Sequence, residues 1–406
     1  MGYFKETVRG ISWMTAFRAA YRGLGIVRIG IIAHILSPYS LGVFAVATIS
    51  LGFLEIITET GINVFLIQEK EDIEGFINSA WVVSIVRGIL IGILIAATAV
   101  PVSNFFGSVE SRNLLYLVAI VPVLRGFINP SIVKFQKNLQ FNKEFFYRFS
   151  MYLAESIFSV AGALFLKNPL GLVLGLIGGA LYEIIYTFVA ARPLPKLVIE
   201  WNKVVKVIKR GVWVTLFGIF DYIYTQFDNV IVGRMLGVSP LGIYQNAYKI
   251  STTPLTEVGD VFFRVTFPVF SKISDEGVRL KKAFVKNVLV NSVLMIVAGV
   301  IIFIFASPIV NIVFGPGWEA AIPVVKLLSI LGVVRGVASS TNSMLVAKQK
   351  QKYCAIITFV SAAGLLASIV PLINKFGIMG AGIAAIFGTI ISLPFTIYFV
   401  SKTLKS

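Results

Sequence analysis

Residues Gly10–Leu36, GISWMTAFRAAYRGLGIVRIGIIAHIL, decide how the chain is read. A hydrocarbon core of about 30 Å takes roughly 20 residues of helix to cross, and this stretch is long and apolar enough to do so. Yet it carries Arg18, Arg22 and Arg28. An arginine at the bilayer centre costs about 2.5–3.5 kcal/mol on insertion scales. Together with Tyr21 and Gly25 the three arginines follow steps of three and four, which puts them on one helix face. A cationic stripe of this kind has to face acidic partners or a wet cavity, not lipid.

The rest of the chain has the same character. It is 57% hydrophobic and only 14% charged, with a mean hydropathy of +0.87, which excludes an ordinary soluble domain. Its apolar residues come in blocks of about 20. A single cysteine, Cys354, excludes an internal disulfide framework and Cys-based metal clusters, and a single histidine, His34, excludes His-rich zinc or haem sites. The net charge of +17 resembles a nucleic-acid signal, but most of it lies in short loops between apolar blocks. No nucleic-acid partner is expected. Arginines interrupt the first apolar block where a secretory signal would be clean, so no cleavable leader is expected either.

Spans are read near residues 10–35, 41–67, 76–102, 113–133, 145–166, 170–191, 211–235, 241–270, 287–313, 320–345, 354–373 and 379–400. With both termini cytoplasmic, 22 of the 36 Lys and Arg residues fall in inside segments, four in outside loops and ten within spans. That asymmetry sets the orientation and places the chain in the cytoplasmic membrane. The chain also repeats itself: LSPYSLGVF at Leu36–Phe44 aligns with LGVSPLGIY at Leu236–Tyr244, and Trp13 aligns with Trp213. The expected organisation is a first lobe over 1–191, a cytoplasmic linker over 192–210 and a second lobe over 211–406, six spans to each lobe and both in the same orientation. In the linker, Leu197, Trp201, Val204, Val205 and Ile208 share a helical face, which predicts an amphipathic helix on the anionic membrane surface.

The charges within spans are the candidate site residues. The first half holds Arg18, Arg22, Arg28, Arg87, Arg125 and Arg148 against Glu55, Glu59, Glu155 and Glu183, an excess of positive charge suited to an anion. Arginine presents a planar fork that binds two oxygens of a phosphate or carboxylate at once. In the second half, Asp221, Tyr224, Thr225 and Asp228 form an acidic and hydroxyl face. Lys249, Thr253, Glu257, Asp260 and Arg264 share a face of the next span, and Pro254 predicts a kink or local unwinding there. Lys326 and Arg335 fall on opposite faces of the tenth span. Static ion pairing is the expectation for Glu59, Glu155, Glu183 and Arg335. Gly171, Gly175 and Gly179, and likewise Gly380, Ala384 and Gly388, are spaced for close helix contacts. Neither a P-loop, H-E-x-x-H nor G-x-S-x-G occurs, so neither ATP hydrolysis nor a nucleophile elbow is expected.

The runs LSPYSLGVFAVATISLGFLEIITETGINVFLIQ (Leu36–Gln68), TQFDNVIVGRMLGVSPLGIYQNAYKI (Thr225–Ile250), RVTFPVF (Arg264–Phe270) and FGPGWEAAIPVVKLLSI (Phe314–Ile330) resemble, in order and spacing, the polysaccharide biosynthesis flippases of the Wzx type. These belong to the superfamily of MATE drug exporters and the lipid II flippase. The resemblance implies an all-α integral membrane protein with about 12 transmembrane helices in two six-helix lobes forming a V. It implies alternating access and a substrate of oligosaccharide linked through diphosphate to a polyprenol. Carried onto this chain, it nominates Arg18, Arg22, Arg28 and Asp228. The full expectation is a non-enzymatic flippase whose cationic surface is Arg18, Arg22, Arg28, Arg87, Arg125, Lys249 and Arg264. Glu55, Asp221, Asp228 and Glu257 are the candidates for a coupling ion, Na⁺ or H⁺. No cofactor and no metal are expected. The partners expected are the lipid-linked glycan, anionic lipids and proteins of glycan polymerisation and assembly. A MATE-like antiporter of small molecules is the alternative, disfavoured by the excess of bases. A glycan-assembly transferase would need larger outside loops.

Overall fold

The computed structural model describes residues 20–58, 62–68 and 73–405, and every regular element among the described residues is helical. Helix α1 covers 20–35. It is followed by α2 (Pro38–Ile57), α3 (Ile62–Gln68), α4 (Glu74–Phe106), α5 (Val109–Val118), α6 (Ile120–Gly126) and, after a 3-10 turn at Pro130–Val133, α7 (Lys134–Lys137). Then come α8 (Phe141–Leu166), α9 (Leu170–Ala190), α10 (Trp201–Leu236), α11 (Val238–Lys272), α12 (Gly277–Ile304), α13 (Ala306–Val313), α14 (Ala321–Ala347), α15 (Gln351–Phe376) and α16 (Ile378–Lys405).

Eight of the described helices are long and apolar enough to cross a membrane alone. A ninth crossing is the pair Val109–Gly126 and Pro130–Lys137, bent by 67°. Helices α10 and α11, 36 and 35 residues long, fall short of that test because they carry charge, not for want of length. With these and α1, about twelve crossings result, matching the spans read from hydropathy. The repeat recurs in the structure. Leu36 and Leu236 each close a helix, and the Pro-containing segment after each opens the next. Ser37 caps α2 by accepting from the Ser40 N–H, with Pro38 in the first turn.

The chain divides into two compact units, Met1–Phe227 and Asp228–Ser406, so the division lies inside α10. In the first unit, α8 and α9 form a hairpin held by backbone-to-backbone contact. A Cβ on Gly171 would lie 2.3 Å from the Gly162 carbonyl carbon, one on Gly175 1.8 Å from Ser159 Oγ, and one on Gly179 2.9 Å from Glu155 Cβ. The glycine stripe read from the sequence is therefore a packing seam. In the second unit, Gly364 meets Gly388 in the same way between α15 and α16, and α11 packs along α14.

Two local expectations are corrected. The linker is not an independent amphipathic helix. Residues 192–200 are non-helical, and Trp201 opens α10, which runs unbroken to Leu236. Pro193 and Pro195 deny a helix its donors, and the segment is tied down instead. The Ser131 hydroxyl donates to the Pro193 carbonyl at 2.7 Å, and the Lys196 N–H donates to Asn78 Oδ1 at 2.8 Å. Val204 is buried among Phe65, Phe76 and Ile77, while Leu197 and Trp201 are exposed. Secondly, α11 passes through Pro254 without unwinding. Its neighbours Ser251, Thr252 and Leu255 are buried, and packing on α14 keeps the helix continuous through the missing donor.

In the loop before α14, Phe314 and Trp318 are buried while Gly315 and Gly317 adopt φ of 78° and 85°, values open to glycine. Glu319 accepts the Gly317 N–H at 3.1 Å. Its own backbone N–H and that of Gly317 hold its carboxyl below the usual carboxylate range.

Replacing Gly171 with leucine should force α8 and α9 apart and destabilise the protein by more than the ~1–3 kcal/mol of ordinary overpacking. Gly23→Ala, where no atom lies within 4 Å of the added carbon, should be near neutral. Thermal unfolding of the two purified variants in detergent checks this.

Candidate functional site

Two helix ends define the site. Helix α2 ends at Ile57, with Thr58 in a turn, and α6 ends at Gly126 before the bend into the 3-10 turn at Pro130. Irregular backbone within a membrane protein is tolerated where it is buried in protein or lines a cavity. At the bend the buried Asn129 satisfies the loose ends. Its Oδ1 accepts the Ser131 N–H at 2.9 Å and its amide donates to the Ala191 carbonyl at 3.3 Å.

Both helix ends open onto one cavity of about 420 Å³ in the first unit, lined by residues from α2, α3, α4, α6, the bend, α8 and α9. Its polar lining is Glu55, Asn63, Ser84, Arg87, Arg125, Tyr147 and Glu183. Glycines bring the two arginine-bearing helices together. A Cβ on Gly88 would lie 2.3 Å from the Pro122 carbonyl oxygen, and one on Gly126 2.8 Å from that of Ser84. Each glycine directly follows the arginine it positions, Arg87 and Arg125.

Arg125 Nη1 donates to Glu55 Oε1 at 2.9 Å, with about a third of each side chain accessible. Arg87 Nη2 donates to the Glu55 carbonyl oxygen at 2.6 Å. The Tyr147 hydroxyl donates to the Glu183 carboxylate. Behind the lining, Tyr222 lies against Gly52 and donates to the Ile49 carbonyl at 2.6 Å. Outside the cavity, Arg28 is committed elsewhere. Nη1 donates to Glu155 at 2.7 Å and Nη2 to Ser159 at 2.9 Å, a buried pair joining α1 to α8. Tyr21 stacks on Tyr152 at 3.9 Å beside it, and Arg22 is exposed, its guanidinium 5.9 Å from the Tyr21 ring. Arg148 pairs with Glu144 at 2.5 Å.

In the second unit the buried Asp228 accepts the Tyr244 hydroxyl at 2.9 Å and the Asn229 N–H at 2.8 Å. Arg335 donates to Tyr248, and Lys326 lies 5.6 Å from the Phe303 ring, so the two cations meet different helices. Lys249, Asp260 and Arg264 are exposed and Glu257 half-buried, a polar face opposite the one α11 buries against α14.

The structure thus gathers Glu55, Arg87 and Arg125 into one cavity and separates Arg28 from them. Arg18 and Glu59 lie outside the described residues, as does the side chain of Asp221. Sequence reasoning missed Tyr147, Asn63 and Ser84, and treated Glu183 as a plain ion-pair partner. For Glu183 a signal existed: it continues the step of four set by Gly171, Gly175 and Gly179, so it faces α8 and Tyr147.

The fold and the family follow from comparison with known proteins. The chain is 24% identical to the lipopolysaccharide biosynthesis protein WzxC of Escherichia coli over 352 residues, 86% of this chain and 72% of that one. Its fold matches that of the lipid II flippase MurJ in an inward closed conformation, with a TM-score of 0.74 at 16% identity over 96% of this chain and 89% of the other. A multidrug resistance MATE transporter in an inward-facing conformation gives 0.68 at 14% identity over 94% and 95%.

The Arg28–Glu155 pair is open to a double-mutant cycle. Arg28→Ala or Glu155→Ala alone leaves a part-buried charge without its ion-pair partner and should cost about 1–3 kcal/mol, less than the cost at a fully buried pair. The double variant should cost less than the sum, with a coupling of about 1–3 kcal/mol read from unfolding in detergent.

The model of the polysaccharide biosynthesis protein family matches residues 31–323, well over half of the chain, and the protein belongs to that family.

Proposed function

We propose that the protein moves a polyprenyl-diphosphate-linked oligosaccharide across the cytoplasmic membrane by alternating access, with both termini cytoplasmic. The observation that carries this reading is a polar, arginine-bearing cavity set at two helix ends of a family member. Helix ends that open onto a cavity leave backbone groups available to a substrate. A relative is named for lipopolysaccharide biosynthesis, and a protein of similar fold is named a lipid II flippase.

Arg22, exposed on the stripe it shares with Arg18, is the group to receive the diphosphate, since a guanidinium holds two phosphate oxygens at once. Lys249 and Arg264 on the accessible face of α11 are the corresponding cations of the second unit. Among the ion-coupling candidates, Glu55 is held by Arg125, whereas Asp228 is bound by a neutral hydroxyl, which leaves its carboxylate the better acceptor for Na⁺ or H⁺. The lobes and linker keep the assignment 1–191, 192–210 and 211–406 as functional halves. Glycan polymerisation and assembly proteins are the partners at either face.

In a strain whose own flippase is deleted, the Arg18→Ala/Arg22→Ala variant should reach the membrane at normal levels yet support at least tenfold less surface glycan. Full export by that variant refutes the diphosphate assignment. Expression should give no resistance to cationic dyes, and resistance would favour the small-molecule antiporter.

A further inference from the structure

The cavity of the first unit has a chemistry unlike that of an anion site. Two guanidinium groups face two carboxylates, and each is already engaged: Arg125 by the Glu55 carboxylate, Arg87 by the Glu55 carbonyl oxygen, Glu183 by the Tyr147 hydroxyl. A phosphate entering here would have to displace Glu55 from Arg125 and then lie beside two carboxylates. The excess positive charge counted along the sequence is not concentrated at this point.

What remains available is hydrogen-bonding capacity of both kinds. Glu55 and Glu183 accept, Arg125 donates, the Asn63 amide does both, and the Ser84 hydroxyl, which donates to the Ala80 carbonyl, can still accept. Each hydroxyl of a sugar also donates and accepts at once. The apolar walls are isoleucines, among them Ile56, Ile91 and Ile128, which suit the C–H face of a pyranose ring. At about 420 Å³ the cavity is in the size range of small-ligand pockets, roughly 300–1,000 Å³, and its lining is more polar than theirs.

We infer that this cavity is a subsite for one uncharged pyranose of the lipid-linked glycan, distinct from the cationic surface that takes the diphosphate. The inference rests on the flippase reading and adds a selectivity to it. The charge-balanced lining prefers a neutral sugar, and an acidic sugar is disfavoured because its carboxylate would face Glu55 and Glu183. On the orientation given by the loop charges, the ends of α2 and α6 lie toward the cytoplasmic ends of their spans, the side from which a cytoplasmically assembled glycan enters.

The test uses the full-length protein in lipid nanodiscs with three probes: a polyprenyl diphosphate, the same lipid bearing one neutral hexose, and the same lipid bearing one hexuronic acid. The hexose-bearing lipid should bind about tenfold more tightly than the bare lipid, and the uronic acid should gain little. In Glu183→Gln, which keeps the shape of the side chain, and in Asn63→Ala, the margin between hexose-bearing and bare lipid should shrink to about twofold or less. Equal binding of bare and hexose-bearing lipids by the wild-type protein overturns the subsite. So does a parallel loss for both lipids in the variants, or tightest binding of the uronic acid. Sodium-dependent stabilisation lost in Glu183→Gln, with no sugar margin, would assign the cavity to a cation instead. Failure to bind any of the three lipids defeats the flippase reading itself, a result distinct from a missing sugar margin.

Discussion

A guanidinium within a membrane-crossing bundle needs its counter-charge supplied by the protein, and in the first unit that requirement selects which helices touch. Arg28 binds α1 to α8 through Glu155, and Arg125 binds α6 to α2 through Glu55. Arg87 on α4 reaches the α2 backbone. A pair of this kind is not strongly stabilising in itself, since desolvation offsets most of the attraction, but leaving either partner alone is costly. The pairs therefore act chiefly as specifications of neighbourhood. Glycine makes them feasible: Gly179 lets α9 press against the carbon stem of Glu155, and Gly88 and Gly126 bring α4 and α6 close enough that both arginines converge on Glu55.

Much of this could be read before any coordinates. Blocks of about 20 apolar residues, the charge asymmetry of the loops and the repeat at Leu36 and Leu236 give the helices and their order. The glycine stripe gives the α8–α9 seam. What periodicity cannot supply is the partner. It shows that Arg22 and Arg28 share a face, but that face is divided in the structure, with Arg28 neutralised by Glu155 and Arg22 exposed. Tyr147 sits in FNKEFFYRFSMY, where aromatics are so dense that no single one is marked. The linker was misread because its apolar spacing was weighed and Pro193 and Pro195 were not.

Compensation changes what the charges imply. Counted along the chain, the first half carries more arginine than glutamate, which points to an anion. Placed in space, the cavity balances two arginines with two glutamates, and Arg22 stands exposed outside it. A diphosphate-linked sugar is itself divided in this way, with one strongly anionic part and one neutral, hydroxyl-rich part. Two surfaces of matching chemistry in the same unit are a more economical means of recognition than a single cationic one, because neither must tolerate the other's ligand.

The same reasoning separates the roles of the acids. A carboxylate paired with a guanidinium is costly to strand, since losing either partner leaves a charge alone. Glu55 and Glu155 are of this type, and each ties one helix to another. Asp228, although buried, has hydroxyl and backbone N–H donors as its hydrogen-bond partners, and the Tyr244 hydroxyl can turn from donor to acceptor if the acid gains a proton. The acids of the first unit thus join helix to helix through guanidinium groups, while Asp228 joins α10 to α11 through the Tyr244 hydroxyl.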